Sequence, residues 1–539
     1  MKHKLTIARF TFRQMLRGAI IFAVAVGLIA VIQGVGLQNA FPTQAERTKV
    51  VTVLGANPTI GLFYGEPAHS DTPAGYMYYR DGIVSALIAG IWGLLFTTRM
   101  FRAQEEEGRS ELLLSGPTTT SRMGIEILLG IVGGLTVSFL ILTAIIAASG
   151  TLDYIGLSIG QSAYFAFALT INAAVFAAIG AFTSQLADTR RKAILLGVIP
   201  LIVLELMRSI GNIIHDVYWL KNFTPFGWID QMHPVYDHKP LWILPLVITP
   251  IIFATLAIWV SSRRDLGSSV LQANDKAKSH YLLLGNSLSM SFRQTRGVML
   301  AWFAGTLSFA IVIVALTKSA VDAFRGEETA TTLLQSLGGD GPSLEETFIS
   351  VGSMIIVMML MAMTIWGVGS MRGEEAKGLL DNLLVRKVSR SKWLAGRVLL
   401  LIASAVIFCT ISNFTTWAIA KSQDIDISLH TMLFDGLNLL APVVVMLGLG
   451  VALFGVIPRL ATWILYTLLA WSFIEQIVAT IVSDEKAKDI LNSTSLLQPI
   501  ALVPAQTVDW MQFWQIATCG IALLIVGFYA FSRRDLQNE

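Results

Sequence analysis

One pattern occurs twice in this chain at a fixed spacing. Arg263-Arg264-Asp265-Leu266 follows an apolar stretch, and Arg533-Arg534-Asp535-Leu536 follows another at the C-terminal end. The spacing between the two copies is half the length of the 539-residue chain. A repeat this long predicts two similar halves. We assign them to residues 1–270 and 271–539, joined by a polar linker at about 266–290.

The composition indicates that both halves lie in a membrane. Hydrophobic residues make up 54% of the chain and charged residues only 14%, whereas soluble globular proteins carry about 25% charged residues. A membrane-spanning helix needs about 20 apolar residues. We therefore predict an all-α integral membrane protein of about twelve transmembrane helices, built as two parallel six-helix repeats. The predicted spans are 18–37, 81–100, 124–149, 161–186, 193–211, 241–261, 297–317, 347–370, 394–420, 431–456, 460–483 and 512–531.

Basic residues set the predicted orientation. Most of the Lys and Arg lie on one side of the predicted spans, in clusters at 2–17, 190–192, 263–264 and 372–397. The positive-inside rule then places both termini in the cytoplasm of a bacterial plasma membrane. The N-terminal basic residues and apolar run resemble a signal peptide, but the run is long and lacks a convincing cleavage site. We expect it to be a retained helix.

An acidic segment after the second span of each half is also duplicated. Arg102, Glu105 and Gly108 recur at the same half-chain spacing as Arg372, Glu375 and Gly378. Four leucines of the second copy share one face of a helix, and Glu374 and Glu375 are expected in its first turn, where the helix dipole favours anions. The pattern predicts an amphipathic helix that enters a groove on a cytoplasmic partner. The alternative is a capped connector at the membrane interface. The four leucines are Leu379, Leu380, Leu383 and Leu384.

This segment resembles the first cytoplasmic loop of ABC-2-type transporter permeases, which carries Glu-Glu-x-Gly-x-x-Glu-x-Leu-Leu-x-x-Pro-x-x-x-x-Arg. The second copy departs from that pattern, because Lys387 replaces the proline and Asp381 the third glutamate. The resemblance covers both halves, and it looks closest to fused twelve-helix exporters of drugs or polyketide antibiotics. It implies that the acidic segments couple to an ATPase. The implied coupling residues are Glu105, Glu106, Gly108, Glu111, Glu374, Glu375, Gly378 and Asp381; Leu113, Leu114, Pro117, Arg122, Leu383, Leu384 and Lys392 complete the match.

The resemblance also implies the energy source and the partners. Two cytoplasmic ABC ATPase subunits, expected to form a homodimer, would bind ATP and Mg²⁺ and drive export of a hydrophobic or amphipathic compound. The chain contains no Gly-x-x-x-x-Gly-Lys-Ser/Thr phosphate loop. We therefore expect a transport subunit rather than an enzyme, with no cofactor or metal of its own. Its other partners would be membrane lipid and the small substrate, and no nucleic acid is expected.

Two carboxylates inside predicted spans share the half-chain spacing. Glu205 lies in the fifth predicted span and Glu475 in the eleventh, and a charge at the bilayer centre costs about 2.5–3.5 kcal/mol on insertion scales. We predict that both line the translocation path. For Glu205 the alternative is a local ion pair with Arg208, three residues on, a position that Val478 takes in the second half.

A methionine-rich span is a further candidate for the path. Met358 and Met359 lie in the eighth predicted span, and methionine suits surfaces that accept varied apolar ligands. Ordinary contact between helices is the alternative.

Two other function classes are open. One is an ion-coupled secondary multidrug transporter that uses Glu205 and Glu475 as coupling carboxylates, although such proteins normally carry several midplane charges. The other is a membrane-embedded enzyme, which would need a dense polar cluster. The strongest such cluster is a predicted outer loop with His215, His233 and His238, whose spacing fits no metal motif.

Overall fold

The computed structural model describes residues 5–55, 61, 64–116, 118–265, 267–271, 286–324, 343–385, 389–481, 486, 496 and 501–536. The chain forms two compact units, Met1–Ala277 and Lys278–Glu539; most of the predicted linker lies outside the described residues. Every regular element in the described ranges is helical. Eleven of these helices are long and apolar enough to cross a membrane, and the remaining predicted span, 460–483, coincides with the helix Ala461–Ile481. The prediction of an all-α integral membrane protein is confirmed.

Unit 1 contains six long helices and several short ones. A π-helical turn, Arg99–Ala103, and one further helical turn, Gln104–Glu106, extend the second long helix beyond the predicted span. The long helices are Thr6–Ala40, Pro73–Thr98, Thr120–Ser149, Ile159–Leu186, Arg190–Ile213 and Ile243–Ser261. The short helices are Gln44–Gly55, Arg109–Leu114, His215–Phe223, Pro225–Met232 and Pro240–Trp242.

Unit 2 repeats this order among its described residues. Its long helices are Ser287–Phe324, Leu344–Ala376, Arg390–Ser422, Leu440–Val456, Ala461–Ile481 and Trp510–Arg533. Its short helices are Leu379–Leu384, Leu429–Leu433 and Asp435–Leu439.

Several helices begin earlier than hydropathy predicts, because polar side chains cap their first turns. The hydroxyls of Thr72, Thr119 and Thr189 each accept a hydrogen bond from a backbone N–H three residues on. Ser343 and Ser389 do the same in unit 2. Such caps satisfy N–H groups that have no partner within the helix. Because the capping residues are polar, a prediction based on runs of apolar residues begins the helix after them.

Small residues allow the helices of each unit to approach closely. In unit 1 a Cβ atom on Gly93 would lie 2.2 Å from the carbonyl oxygen of Ala173 in the buried helix Ile159–Leu186. In unit 2 a Cβ atom on Gly448 would lie 2.2 Å from the carbonyl oxygen of Gly520. Helix association in lipid depends on such close contact, since water provides no hydrophobic drive there.

Candidate functional site

A buried cluster of charges joins two of the duplicated motifs in unit 1. The guanidinium of Arg264 donates two hydrogen bonds to the carboxylate of Glu105, at 2.7 and 2.6 Å. Arg102 Nη1 lies 3.1 Å from the same carboxylate, and the backbone N–H of Gly267 donates to it at 2.7 Å. The side chains of Glu105 and Arg264 are only 7% and 11% exposed. Bidentate pairing of this kind is strong and fixes the geometry of both groups.

Unit 2 contains the same cluster at the equivalent positions of the repeat. The guanidinium of Arg534 donates to the carboxylate of Glu375, with Nη2 at 2.7 Å from Oε2, and Arg372 Nη1 lies 3.7 Å from it. The side chain of Glu375 is fully buried. In both units the arginine lies 159 residues after the glutamate. We call the two sets the Arg–Glu–Arg clusters: Arg102–Glu105–Arg264 and Arg372–Glu375–Arg534.

The first arginine of each Arg-Arg pair makes a different contact. The guanidinium of Arg263 lies 4.3 Å from the ring centre of Trp259, and that of Arg533 lies 4.5 Å from the ring centre of Tyr529. Both are cation–π contacts at the end of the last span. The first arginine of each pair therefore packs on an aromatic ring of its own helix, while the second forms an ion pair with the glutamate of the acidic segment. The end of the last span in each unit is thereby fixed to the segment that follows the second span.

A short connecting helix follows each cluster. Arg109–Leu114 and Leu379–Leu384 each begin after a glycine in the left-handed region, Gly108 at φ 70° and Gly378 at φ 66°. The two helices expose apolar side chains. Leu112 is 76% exposed and Leu113 44%, while Leu379 is 49% and Val385 90% exposed. A short helix is present at the predicted segment in both units, but the four leucines of the predicted face in unit 2 are not exposed together, since Leu379 is 49% and Leu380 1% exposed.

The predicted position of the second copy's glutamates is wrong. Glu374 and Glu375 lie in the last turn of the long helix Leu344–Ala376, and the first turn of the connecting helix contains Asp381 instead. Glu374 is paired with Arg397, which also donates to Gln294. The acidic end of the long helix, beyond the apolar residues, is thus paired with arginines.

The other predicted coupling residues have varied surroundings. Glu106 accepts a hydrogen bond from the backbone N–H of Arg190, the first residue of the fifth long helix. Glu111 is exposed and Asp381 is half-buried. Pro117 and Lys387, which distinguish the two copies, lie outside the described residues. Coupling to an ATPase stays a prediction for all eight residues.

In the membrane-spanning part of unit 1, Glu205 is part of an ion-pair network. Arg208 Nη2 lies 2.7 Å from its carboxylate, and Arg208 Nη1 lies 2.9 Å from that of Asp230. The Arg208 side chain is fully buried. The local-pair alternative is therefore the observed arrangement at Glu205. Asp230 comes from the short helix Pro225–Met232, and its position in a predicted loop gave no sign of this contact.

Glu475 has a different environment in unit 2. Its side chain is fully buried, and neither carboxylate oxygen has a hydrogen-bond partner within the described part of the chain. The positions that would supply a partner carry Val478 and Ile500 in place of Arg208 and Asp230. A buried carboxylate without a partner is costly when it is ionised. Among the described residues, Glu205 is paired and Glu475 is not, so the surroundings of the two glutamates differ.

Met358 and Met359 are half-buried. Met358 packs against the core of unit 2, and the methyl end of Met359 lies 3.5 Å from where a Cβ on Gly305 would be. A role of the two methionines in a translocation path stays a prediction.

Comparison with known proteins gives two findings. The family model described as "Multidrug efflux system permease Rv1217c, C-terminal domain" matches residues 8–260 and 284–532. The multidrug efflux system permease protein Rv1217c of Mycobacterium tuberculosis is 26% identical over 522 residues, which cover 94% of this chain and 90% of that protein. The matched ranges contain both Glu105 and Glu375, and the second ends just before Arg533.

Proposed function

Because the chain belongs to the Rv1217c family of multidrug efflux system permeases, we propose that it is the transmembrane subunit of an ATP-driven exporter. Its substrates would be hydrophobic or amphipathic compounds such as drugs, antibiotics or lipid-like molecules. Separate cytoplasmic ABC ATPase subunits, two per chain, would bind ATP and Mg²⁺. Both termini would lie in the cytoplasm, and the protein in a bacterial plasma membrane.

The observation that supports this proposal is the connecting helix present in both units, which exposes at least one leucine in each unit, although at non-equivalent positions of the repeat. Leu112 and Leu113 in unit 1 and Leu379 in unit 2 are all at least 44% exposed, although each helix is fixed next to a buried Arg–Glu–Arg cluster. Two exposed apolar helices on rigid supports suit insertion into grooves on a partner. Because Arg264 and Arg534 tie these segments to the last spans, a displacement of the connecting helix would be passed to the membrane helices.

A binding experiment tests the docking step. Candidate ABC ATPases from the same genome are co-purified with the wild-type chain and with the double variant Leu112→Ser and Leu113→Ser. We expect the variant to lose most of the bound ATPase and to keep the wild-type melting midpoint, because both leucines are exposed. Trp463→Ser, at an exposed site on another helix, is the matched control. Equal ATPase recovery with the leucine variant would contradict docking through this helix.

One observation favours the alternative of an ion-coupled secondary transporter. Glu475 is a buried carboxylate without a described partner, as expected of a group that takes up and releases a proton. Glu205 is neutralised by Arg208, so only one of the two predicted coupling carboxylates fits that role. Efflux driven by a pH gradient without ATP, and lost in Glu475→Gln, would establish this alternative.

A further inference from the structure

Unit 1 contains a cavity of about 100 Å³ near the start of the helix Pro73–Thr98. The Arg–Glu–Arg cluster lies at the other end of the same continuous helix, about 26 residues or roughly 39 Å away at 1.5 Å per residue. The segment before this helix, the helix itself and the short helices between 215 and 232 all contribute to its walls. Five of the lining residues are tyrosines: Tyr64, Tyr78, Tyr79, Tyr218 and Tyr236.

The cavity has more hydrogen-bond acceptors than the protein uses. The hydroxyl of Tyr79 and Nδ1 of His233 are buried, and neither has a hydrogen-bond partner within the described residues. Burial lowers the pKa of His233, which favours the neutral ring, whose unprotonated nitrogen can accept a hydrogen bond. The carboxylates of Glu66 and Asp230 also line the cavity. Arg208 pairs with Asp230 through Oδ2.

The cavity already accommodates one ammonium group. The side chain of Lys221 is 5% exposed, and its Nζ lies 4.6 Å from the ring centre of Tyr218. Tyrosine faces attract ammonium groups, most strongly when both are shielded from water. Tyr236 adds a further ring, with the rings of His69 and His233 at 4.5 and 4.8 Å from its own.

From this geometry we infer that the cavity is a binding site for an organic ammonium group. The ring of Tyr218, which faces Lys221 Nζ, would face the cation in its place; Arg80 already lies over Tyr64. The carboxylate of Glu66, together with that of Asp230, which is shared with Arg208, would contribute negative charge. Engineered apolar cavities of about 150 Å³ hold one benzene ring, so a site of about 100 Å³ admits a head group such as trimethylammonium and leaves the rest of the molecule outside. The Lys221 ammonium would compete with the ligand. The link from this site to transport rests on the proposed function, whereas binding itself does not.

The test measures binding of choline to the purified full-length chain in detergent, without an ATPase. The neutral isostere 3,3-dimethylbutan-1-ol has the same shape without the charge. We expect choline to bind about tenfold more tightly than the isostere. Tyr236→Leu should weaken choline binding. Lys221→Met keeps the stem and removes the competing charge, so it should tighten choline binding about threefold or more. Tyr466→Leu, at a half-exposed tyrosine of unit 2, is the matched control.

Equal affinity for choline and its isostere would overturn the inference, and this comparison needs no variant that could fail to fold. A Lys221→Met protein that binds choline no more tightly than wild type would also overturn it. A transport assay separates the two proposals: choline binding without ATP-driven efflux would support the site and contradict the proposed function. ATP-driven efflux without choline binding would support the proposed function and contradict the ammonium site.

The quaternary ammonium group occurs both in free compounds and in lipid head groups. Binding is therefore repeated with the chain in phosphatidylglycerol vesicles and in phosphatidylcholine vesicles. Loss of choline binding only in phosphatidylcholine would support the site and identify the lipid as its source. Equal choline binding in both would support a free compound.

Discussion

At the scale of single residues, the buried glutamate of each Arg–Glu–Arg cluster has a partner far away in the sequence. Glu375 is fully buried, and its main partner Arg534 is 159 residues away. Removal of one member of a buried ion pair leaves the other charge uncompensated and costs about 3–5 kcal/mol. The clusters should therefore contribute to stability only while they are complete.

Glu375→Gln should lower the free energy of unfolding by about 3 kcal/mol, because Arg372 and Arg534 would lose their carboxylate. The measurement is the melting midpoint of the purified protein in detergent. Glu105→Gln should behave in the same way in unit 1. The exposed Glu111→Gln serves as the control, with no expected change. A Glu375→Gln protein that melts with the wild type would show that the cluster does not support the fold.

The two intramembrane glutamates should respond in opposite ways to the same substitution. Glu205→Gln removes one of the two carboxylates that pair with the fully buried Arg208 and should lower the melting midpoint. Glu475→Gln replaces a buried carboxylate that has no partner among the described residues by a neutral group of similar size, and should leave the midpoint unchanged or raise it. We expect Glu475→Gln to impair transport in spite of its normal stability. A stable Glu475→Gln protein with wild-type transport would remove Glu475 from the translocation path.

At the scale of secondary-structure elements, the connecting helices depend on the glycine turn before them. Gly108 and Gly378 have φ values of 70° and 66°, where a side chain costs about 1–2 kcal/mol. A Cβ atom on Gly108 would meet nothing within 4 Å, so backbone strain alone sets the cost there.

Gly378→Ala should therefore lower the free energy of unfolding by about 1 kcal/mol, and Gly378→Asn by less, because asparagine tolerates the left-handed region better. Chemical denaturation of the purified protein measures both. Gly373→Ala is the matched control, since Gly373 lies in a regular helix with open space around it and alanine favours helix. If Gly373→Ala and Gly378→Ala were equally destabilising, the left-handed turn would not explain the loss.

The sequence predicts most of these elements, because long apolar runs and polar caps are local signals. The end of the helix Leu344–Ala376 differs from the prediction, and Glu375 in its last turn is paired with Arg534, a partner that local sequence does not reveal. The sequence shows the Arg-Arg-Asp-Leu motif and the acidic segment as two separate repeats. Their contact through Arg264–Glu105 and Arg534–Glu375 is visible only in the structure. The pairing of Glu205 with Arg208 followed from their spacing along one helix, whereas Asp230, in a short helix of its own, could not be assigned.

At the scale of the whole molecule, the two halves keep some elements and have diverged in others. The Arg–Glu–Arg clusters and the glycine turns are present in both units. The network of Glu205, Arg208 and Asp230 has no counterpart in the described surroundings of Glu475, and Val478 and Ile500 stand at the equivalent positions. The shared elements adjoin the connecting helices proposed for ATPase docking, and the divergent ones lie in the fifth long helix and the short helix Pro225–Met232 of unit 1. Two similar ATPase subunits that act on two dissimilar transmembrane units would account for this distribution.

In the proposed function, ATP hydrolysis by a separate subunit drives export through this chain. The most direct measurement is efflux of a fluorescent hydrophobic cation from proteoliposomes that contain the chain and the ABC ATPase that co-purifies with it. We predict efflux that requires ATP and the ATPase, persists without a pH gradient, and falls sharply in the double variant Leu112→Ser and Leu113→Ser. Efflux driven by a pH gradient in the absence of both ATP and the ATPase would contradict the account.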